Sequence, residues 1–239
     1  MTEPMQSARS NPEASETAAA IGAINVIVPT EVPIAVDTKH ATTNNTATEN
    51  LAGISESMKY ATWDLPIEKA TIQDVMEVDG GDFSKVKLIP NDITDEPAAL
   101  AAHQTDAIWV FYGWGGINAK QENTDCDFFF FKDINPVFDY YTPVIIANNT
   151  FLQEHPDIAK KFLEATQKGY EYAVQKPVDA ANMLIAGVNT GSLKGSEELV
   201  QASQQYISDQ YIADAAKWGF IDADRWNAFY SWLAENNLT

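Results

Sequence analysis

Trp63-Asp64-Leu65-Pro66-Ile67-Glu68 and Tyr112-Gly113-Trp114 are the stretches of this sequence best equipped to hold a small molecule. Indole and phenol rings offer flat π-faces to a planar ligand, while the Trp N–H and Tyr O–H bond its polar atoms. Gly113, with Gly115-Gly116 behind it, lets the backbone turn or approach a ligand closely. Pro66 suits the first turn of a helix, whose leading N–H groups have no partner inside the helix. Trp63, Asp64, Pro66 and Ile67 therefore form a loop and helix start able to face a bound group. Glu68 has two readings, a polar anchor for a ligand or an ordinary first-turn helix acid. Tyr140-Tyr141 supply two further phenols, for lining a site or for packing. Binding by such a set needs shape, stacking and a few polar anchors, with no covalent step.

The other chemistry-bearing residues are sparse. The single cysteine, Cys126, excludes an internal disulfide framework and any cysteine-rich zinc or iron–sulfur site. Between Asp125 and Asp127 nothing favours its thiolate, so it reads as a small strand residue. His40, His103 and His155 lie far apart and show no metal-ligand spacing. No metal and no cofactor is expected.

Composition narrows the partners. Of 239 residues 45% are hydrophobic, ample for a core, yet no run approaches the length of a membrane span. Fifteen basic against 34 acidic residues give a net charge of −19. A surface that negative repels phosphate backbones and anionic lipid, so nucleic acid is not an expected partner.

The elements that must position the site begin near residue 58. Residues 1–57 contain no Phe, Trp or Tyr and are rich in Ala, Thr, Ser, Asn, Glu and Pro. Such a segment buries too little to offset its ordering entropy and is expected to be largely disordered. A short strand over Ile24–Val28 is the exception. The start, Met-Thr-Glu-Pro-Met-Gln, shows no recognisable export signal or lipobox.

From Tyr60 onward strands and helices alternate. Strands are expected at Lys59–Trp63, Val86–Ile89, Ala107–Trp114 and Phe128–Phe131, and helices at Ile67–Val78 and Glu96–Gln104. This is an α/β pattern with a largely parallel sheet. Within the third strand Trp109 and Phe111 read as packing residues. Tyr141–Ala147 is a further β-branched run, and the rest is helical. Asp157–Gln175 presents Ile158, Phe162, Ala165 and Tyr172 on one face, and Pro177 opens a helix through Ile185. Ser196 and Asp222 read as N-caps, the latter of a helix with the stripe Trp226, Phe229, Tyr230, Leu233.

Several motifs stand in order. They are Lys59-Tyr60-Ala61-Thr62-Trp63-Asp64-Leu65-Pro66-Ile67-Glu68-Lys69-Ala70, Asp79-Gly80-Gly81-Asp82-Phe83-Ser84-Lys85-Val86, Phe111-Tyr112-Gly113-Trp114 and Asp139-Tyr140-Tyr141-Thr142-Pro143-Val144. Lys168-Gly169-Tyr170-Glu171-Tyr172-Ala173 and Lys217-Trp218-Gly219 follow. The series resembles substrate-binding proteins of ABC importers, in the branch that captures pyrimidine precursors of thiamine and shares its fold with the eukaryotic thiamine-pyrimidine synthases. The resemblance covers about residues 58 to 239.

It implies a periplasmic-binding-protein type II-like fold of two α/β lobes, with ligand in the cleft between them. Residues 58–140 would be the second lobe, and 141–239 a crossover strand and C-terminal helices of the first. Residues 1–57 match none of the family's motifs and are too short to supply the sheet that opens its first lobe. Helices that lack this sheet would pack on the second lobe or expose apolar faces.

The resemblance further implies a pyrimidine ligand, an ABC permease partner and an extracytoplasmic location. The ligand would be held by Trp63, Asp64, Pro66, Ile67, Glu68, Tyr112, Gly113, Trp114, Tyr140 and Tyr141. The alternatives are a non-binding remnant, or a binder of riboflavin, a sulfonate or another heterocycle. A synthase-like enzyme would by the same resemblance require a histidine, a pyridoxal-phosphate lysine and a cysteine-rich iron motif. The sequence has no cysteine cluster, and no enzymatic activity is expected.

Overall fold

The computed structural model describes residues 58–213, 215 and 217–238, together with the backbone of 33–37. Its centre is a five-stranded sheet in the order β3-β2-β4-β1-β5. The strands are β1 (Pro33–Asp37), β2 (Lys59–Thr62), β3 (Lys87–Pro90), β4 (Ala107–Trp109) and β5 (Cys126–Phe130). β2 pairs parallel with both β3 and β4. β1 lies antiparallel between β4 and β5, with Ile34 opposite Trp109 and Pro33 opposite Phe130. β2, β3, β4 and β5 therefore all end at the same edge of the sheet. The strand expected at Ile24–Val28 falls outside the described residues. Of the segment 1–57 expected to be largely disordered, only 33–37 are described, and they form β1 between β4 and β5, which corrects the expectation there.

Alternation along β2 and β4 divides the core between the two faces. Tyr60 and Ala107 face one side and Ala61 and Ile108 the other, and all of them are buried. On the first side lies α1 (Pro66–Val78), which contributes Ile72, Val75 and Met76. α9 (Ala223–Glu235) joins it with Phe229, Trp232 and Leu233, while Asp74 of α1 accepts hydrogen bonds from Trp232 Nε1 (2.9 Å) and Asn135 Nδ2 (2.7 Å). α9 thus shares a core with the α/β lobe rather than standing among the other C-terminal helices. Its stripe is Phe229, Trp232 and Leu233; Tyr230 is exposed, a correction to the expected face. On the second side α2 (Glu96–Ala101) packs Leu100 against Ala61, Ile108 and Val110.

Local signals act as the residue types dictate. Pro66 opens α1, Asp95 Oδ1 caps α2 through Ala98 N (3.0 Å), and Asp222 Oδ1 caps α9 through Arg225 N (2.8 Å). Ser196 occupies the N-cap of its helix without a side-chain bond.

Three of the expected extended runs require correction. The strand expected over Ala107–Trp114 pairs only to Trp109; Tyr112–Gly116 then form a single π-turn leading into α3 (Ile117–Gln121). Phe131 leaves the strand and opens α4 (Phe131–Ile134). Tyr141–Ala147 adds no strand to the sheet among the described residues and makes a single bridge at Tyr141, so there it runs as a connector.

After α5 (Asn149–Glu154), helices α6 (Pro156–Gln175), α7 (Pro177–Gly187) and α8 (Glu197–Ser208) pack in succession. The buried side chains of α6 are Ala159, Leu163 and Ala173, whereas Ile158 and Phe162 are exposed, contrary to the expected face. Small residues let a neighbouring backbone come close: Ser208 Oγ of α8 donates to the Ala173 carbonyl at 3.0 Å. Of the two outcomes expected for these helices, both occur. Tyr206 and Ile207 of α8 pack on the lobe at Gly113, while Ile158, Phe162, Met183 and Leu184 remain exposed.

Burial raises the pKa of Tyr60, Tyr140, Tyr170 and Tyr211, and the Glu68 carboxylate adds to the effect at Tyr60. A phenol held neutral in the fold but free to ionise when unfolded stabilises fully below the unfolded pKa. That contribution is lost as pH rises above about 10, at about 1.4 kcal/mol per pH unit for a group such as Tyr60. The melting temperature is therefore expected to hold from pH 8 to near 10 and then fall steeply. A melting temperature unchanged to pH 11 would contradict this placement of the tyrosines.

Candidate functional site

The edge where β2, β3, β4 and β5 end is the place where open α/β sheets receive ligands, since loops there diverge and leave a crevice. In this chain it carries an unusual load of exposed apolar rings. Trp63 follows β2 and is 44% exposed; Phe111 and Trp114 follow β4 and are 57% and 43% exposed. Leu65 and Ile67 at the opening of α1 are exposed as well.

The Trp63–Ile67 loop is held from beneath. Glu68 is 2% exposed, and its carboxylate accepts from Tyr60 OH (2.7 Å), Thr62 Oγ1 (2.9 Å) and Trp63 N (3.0 Å). A buried carboxylate needs such donors to replace its lost water. Of its two readings, the structure places Glu68 as an internal anchor of the loop. Asp64 adopts a left-handed φ of 63°, unusual for a residue with a Cβ, and donates its N–H to Thr62 Oγ1 at 2.9 Å. Its carboxylate pairs with Lys69 in solvent, a contact of small energetic weight. Leu65 stands at the N-cap of α1 without a side-chain bond, and Pro66 has no N–H. The free N–H groups of the first turn are therefore uncapped by any side chain.

The second loop is the π-turn. Phe111 O accepts from both Trp114 N and Gly115 N at 2.8 Å, which turns the chain sharply and leaves Trp114 outside. Tyr112 points inward, 7% exposed, with ring centroids of Tyr206, Phe128 and Phe130 at 5.0, 5.2 and 5.5 Å. Lys120 Nζ stands 5.0 Å from the ring centre. Gly113 lies against Tyr206 and Ile207 of α8.

Tyr140 and Tyr141 are drawn elsewhere. Tyr140 stacks on Phe229 of α9 at 3.9 Å, and buried Tyr141 OH accepts from Asp222 N at 3.0 Å beneath the Arg225 guanidinium. Both link the connector to α9, which is the packing reading of the pair.

The edge thus gathers Trp63, Asp64, Pro66, Ile67 and Trp114 at the surface, with Glu68, Tyr112 and Gly113 as their support. Phe111 was expected to pack and is instead exposed; only Trp109 packs, edge-on to Phe131 at 4.6 Å. Alternation alone could have placed Phe111 with Trp109, but the turn at Tyr112 redirects the chain. Among the described residues no group of three or more His, Cys, Asp or Glu is placed to hold a metal, and no helix is long and apolar enough to cross a membrane. A groove of about 230 Å³ lined by Gln73, Glu77 and residues Gly81–Ser84 lies at the far end of α1, near the start of β3.

The fold recurs in binding proteins. A protein from Bordetella bronchiseptica superposes with a TM-score of 0.57 at 16% identity, over 93% of this chain and 70% of its own. The alkanesulfonate-binding protein SsuA from Xanthomonas axonopodis pv. citri, bound to MOPS, gives 0.56 at 11% identity over 90% and 68%. The ligand-binding component of an ABC-type import system from Staphylococcus aureus, with zinc bound, gives 0.52 at 13% identity over 95% and 72%. At these identities the likeness establishes the periplasmic-binding-protein type II-like fold. In sequence, the formylaminopyrimidine-binding protein of Halalkalibacterium halodurans is 27% identical over 180 residues, 71% of this chain and 51% of the relative. The chain therefore spans about half the length of that curated relative. The profile described as NMT1/THI5 like matches residues 43–180, opening upstream of β2 and closing within α7. With more than half of its length matched by that profile, the chain belongs to the NMT1/THI5-like family.

Proposed function

We propose that this chain is a solute-binding component of an ABC importer and that its cargo is a thiamine pyrimidine precursor, held at the edge where the parallel strands end. The observation that carries the proposal is the exposure of Trp63, Phe111 and Trp114 together at the carboxyl ends of neighbouring strands. Exposed rings at a sheet edge leave apolar area in water, and a planar ligand removes it. The uncapped N–H groups at the start of α1 would donate to a carbonyl oxygen or ring nitrogen of such a ligand. Glu68 acts through the loop, fixing Trp63, and Tyr112 acts through the π-turn, fixing Trp114.

The family, the 27% identical formylaminopyrimidine-binding relative and the fold shared with transporter components support this reading. They favour capture over catalysis. An ABC permease is the partner, and the compartment is extracytoplasmic. Residues 58–140 would be one lobe of the binding protein, and α6–α8 part of the other.

Trp63 and Trp114 should report the ligand directly. Titration with formylaminopyrimidine is expected to quench or shift the tryptophan emission. Trp63→Ala and Trp114→Ala should each weaken binding about tenfold or more, in line with loss of a well-packed aromatic contact. Unaltered affinity in both variants would remove the edge from the account.

A further inference from the structure

The geometry points to Glu96 as the acid that recognises the cargo at this edge, selecting a heterocycle that bears an exocyclic amine over an anionic ligand. The inference rests on the binding role proposed above and assigns its polar anchor. Four other carboxylates lie on the β2–α1 and β3–α2 connections and the helix turns they open; three are engaged and one stands in solvent. Glu68 is buried and accepts from Tyr60, Thr62 and Trp63. Asp64 pairs with Lys69, Asp95 caps α2, and Asp92 stands in solvent on the loop that leaves β3.

Glu96 differs from all of them. It is half-buried at the first position of α2 and makes no hydrogen bond or ion pair among the described residues. Its Oε2 lies beside the π-turn, 3.9 Å from where a Cβ on Gly115 would stand. Gly115 is buried and is the residue directly after exposed Trp114. A side chain at position 115 would meet Val110 at 3.2 Å, so glycine keeps the space between the turn and the carboxylate open.

A half-buried carboxylate without a protein partner is open to a ligand N–H₂ donor, which would form a charge-assisted hydrogen bond there. The reverse holds for an anion: a sulfonate would be brought against an uncompensated negative charge within a chain of net charge −19. The cations near the edge are already engaged, Lys69 with Asp64, Lys120 over the Tyr112 ring and Lys132 over the Phe130 ring. Stacking on Trp114 with the amine turned to Glu96 therefore defines an amine-bearing planar heterocycle as the preferred class.

The test is calorimetric titration of the intact chain with three probes: hydroxymethylpyrimidine with its exocyclic amine, the analogue with a carbonyl in place of that amine, and MOPS. The parent is expected to prefer the amine probe over the carbonyl analogue by about tenfold or more, with MOPS weakest, as an unpaired, half-buried acceptor beside the stacking ring dictates. Glu96→Gln should melt like the parent yet lose that preference, while Asp92→Asn keeps it. Amine binding as tight in Glu96→Gln as in the parent overturns the assignment of Glu96 and leaves the binding role standing. MOPS binding above the amine probe overturns the ligand class. Heat with none of the three from a cooperatively folded sample overturns the binding role itself, and the inference with it.

Discussion

Glu68→Ala is expected to destabilise the fold by about 3–5 kcal/mol, because it strands buried donors that have no other acceptor. The Tyr60 phenol, the Thr62 hydroxyl and the Trp63 amide converge on this one carboxylate at 2.7, 2.9 and 3.0 Å. Tyr60 is 1% exposed and Thr62 6%, so water reaches them only if the sheet edge opens. Each stranded donor costs about 1–3 kcal/mol, and partial relaxation brings the sum to the lower part of that range. For a chain of this size that corresponds to a fall in melting temperature of about 10 °C. Glu68→Gln keeps the volume but turns one acceptor into a donor facing donors, and about half the loss is expected. Tyr60→Phe removes a single bond and should cost about 1 kcal/mol. Thermal and urea unfolding of the three variants give the ranking directly. A Glu68→Ala protein melting within 2 °C of the parent, against the ~10 °C expected, would contradict the anchoring role. Affinity should fall alongside stability, since the Trp63 backbone loses its fixed position.

Gly116→Ala is the second large effect, and here two rules oppose each other. Gly116 has helical φ and ψ of −67° and −39° at the entry to α3, so helix propensity alone favours alanine by about 1 kcal/mol. The added Cβ, however, would stand 2.4 Å from Tyr112 Cδ2 and 2.8 Å from its Cγ. The ring cannot swing aside, because Tyr206, Phe128 and Phe130 surround it at 5.0–5.5 Å between centroids. Overpacking of this kind costs about 1–3 kcal/mol or more, and backbone displacement of the π-turn adds to it. A net loss of about 2–3 kcal/mol is expected, with Trp114 emission altered because its turn has moved. A Gly116→Ala variant more stable than the parent would show that the Tyr112 packing is loose.

The lobe was largely legible where local chemistry decides structure. Pro66 opening α1, Asp222 capping α9 and Pro177 opening α7 follow from backbone and capping rules that need no tertiary context. Long-range choices were not legible. The aromatic run from Ala107 reads as one strand because Trp, Val, Phe and Tyr all suit a pleat. What ends it at Trp109 is the double hydrogen bond to Phe111 O, a property of the turn that Gly113, Gly115 and Gly116 permit. Phe111 therefore changed from a packing residue to an exposed one.

The same limit applies to α6, where two apolar stripes compete. Ala159, Leu163 and Ala173 are the stripe its neighbours select, and Ile158 with Phe162 is the one left outside. At the site, residue type alone could not separate Glu68 from Glu96. Both are first-turn acids on helices that follow parallel strands. Only the positions of Tyr60, Thr62 and Gly115 distinguish the engaged carboxylate from the open one.

The central claim is that the carboxyl edge of the sheet grips a planar heterocycle. Isothermal titration of the intact, cooperatively folded chain with formylaminopyrimidine tests it most directly. The account predicts saturable heat at one site per chain, abolished in the Trp63→Ala/Trp114→Ala double variant. Heat that persists in that double variant, or no heat from the parent, would contradict it.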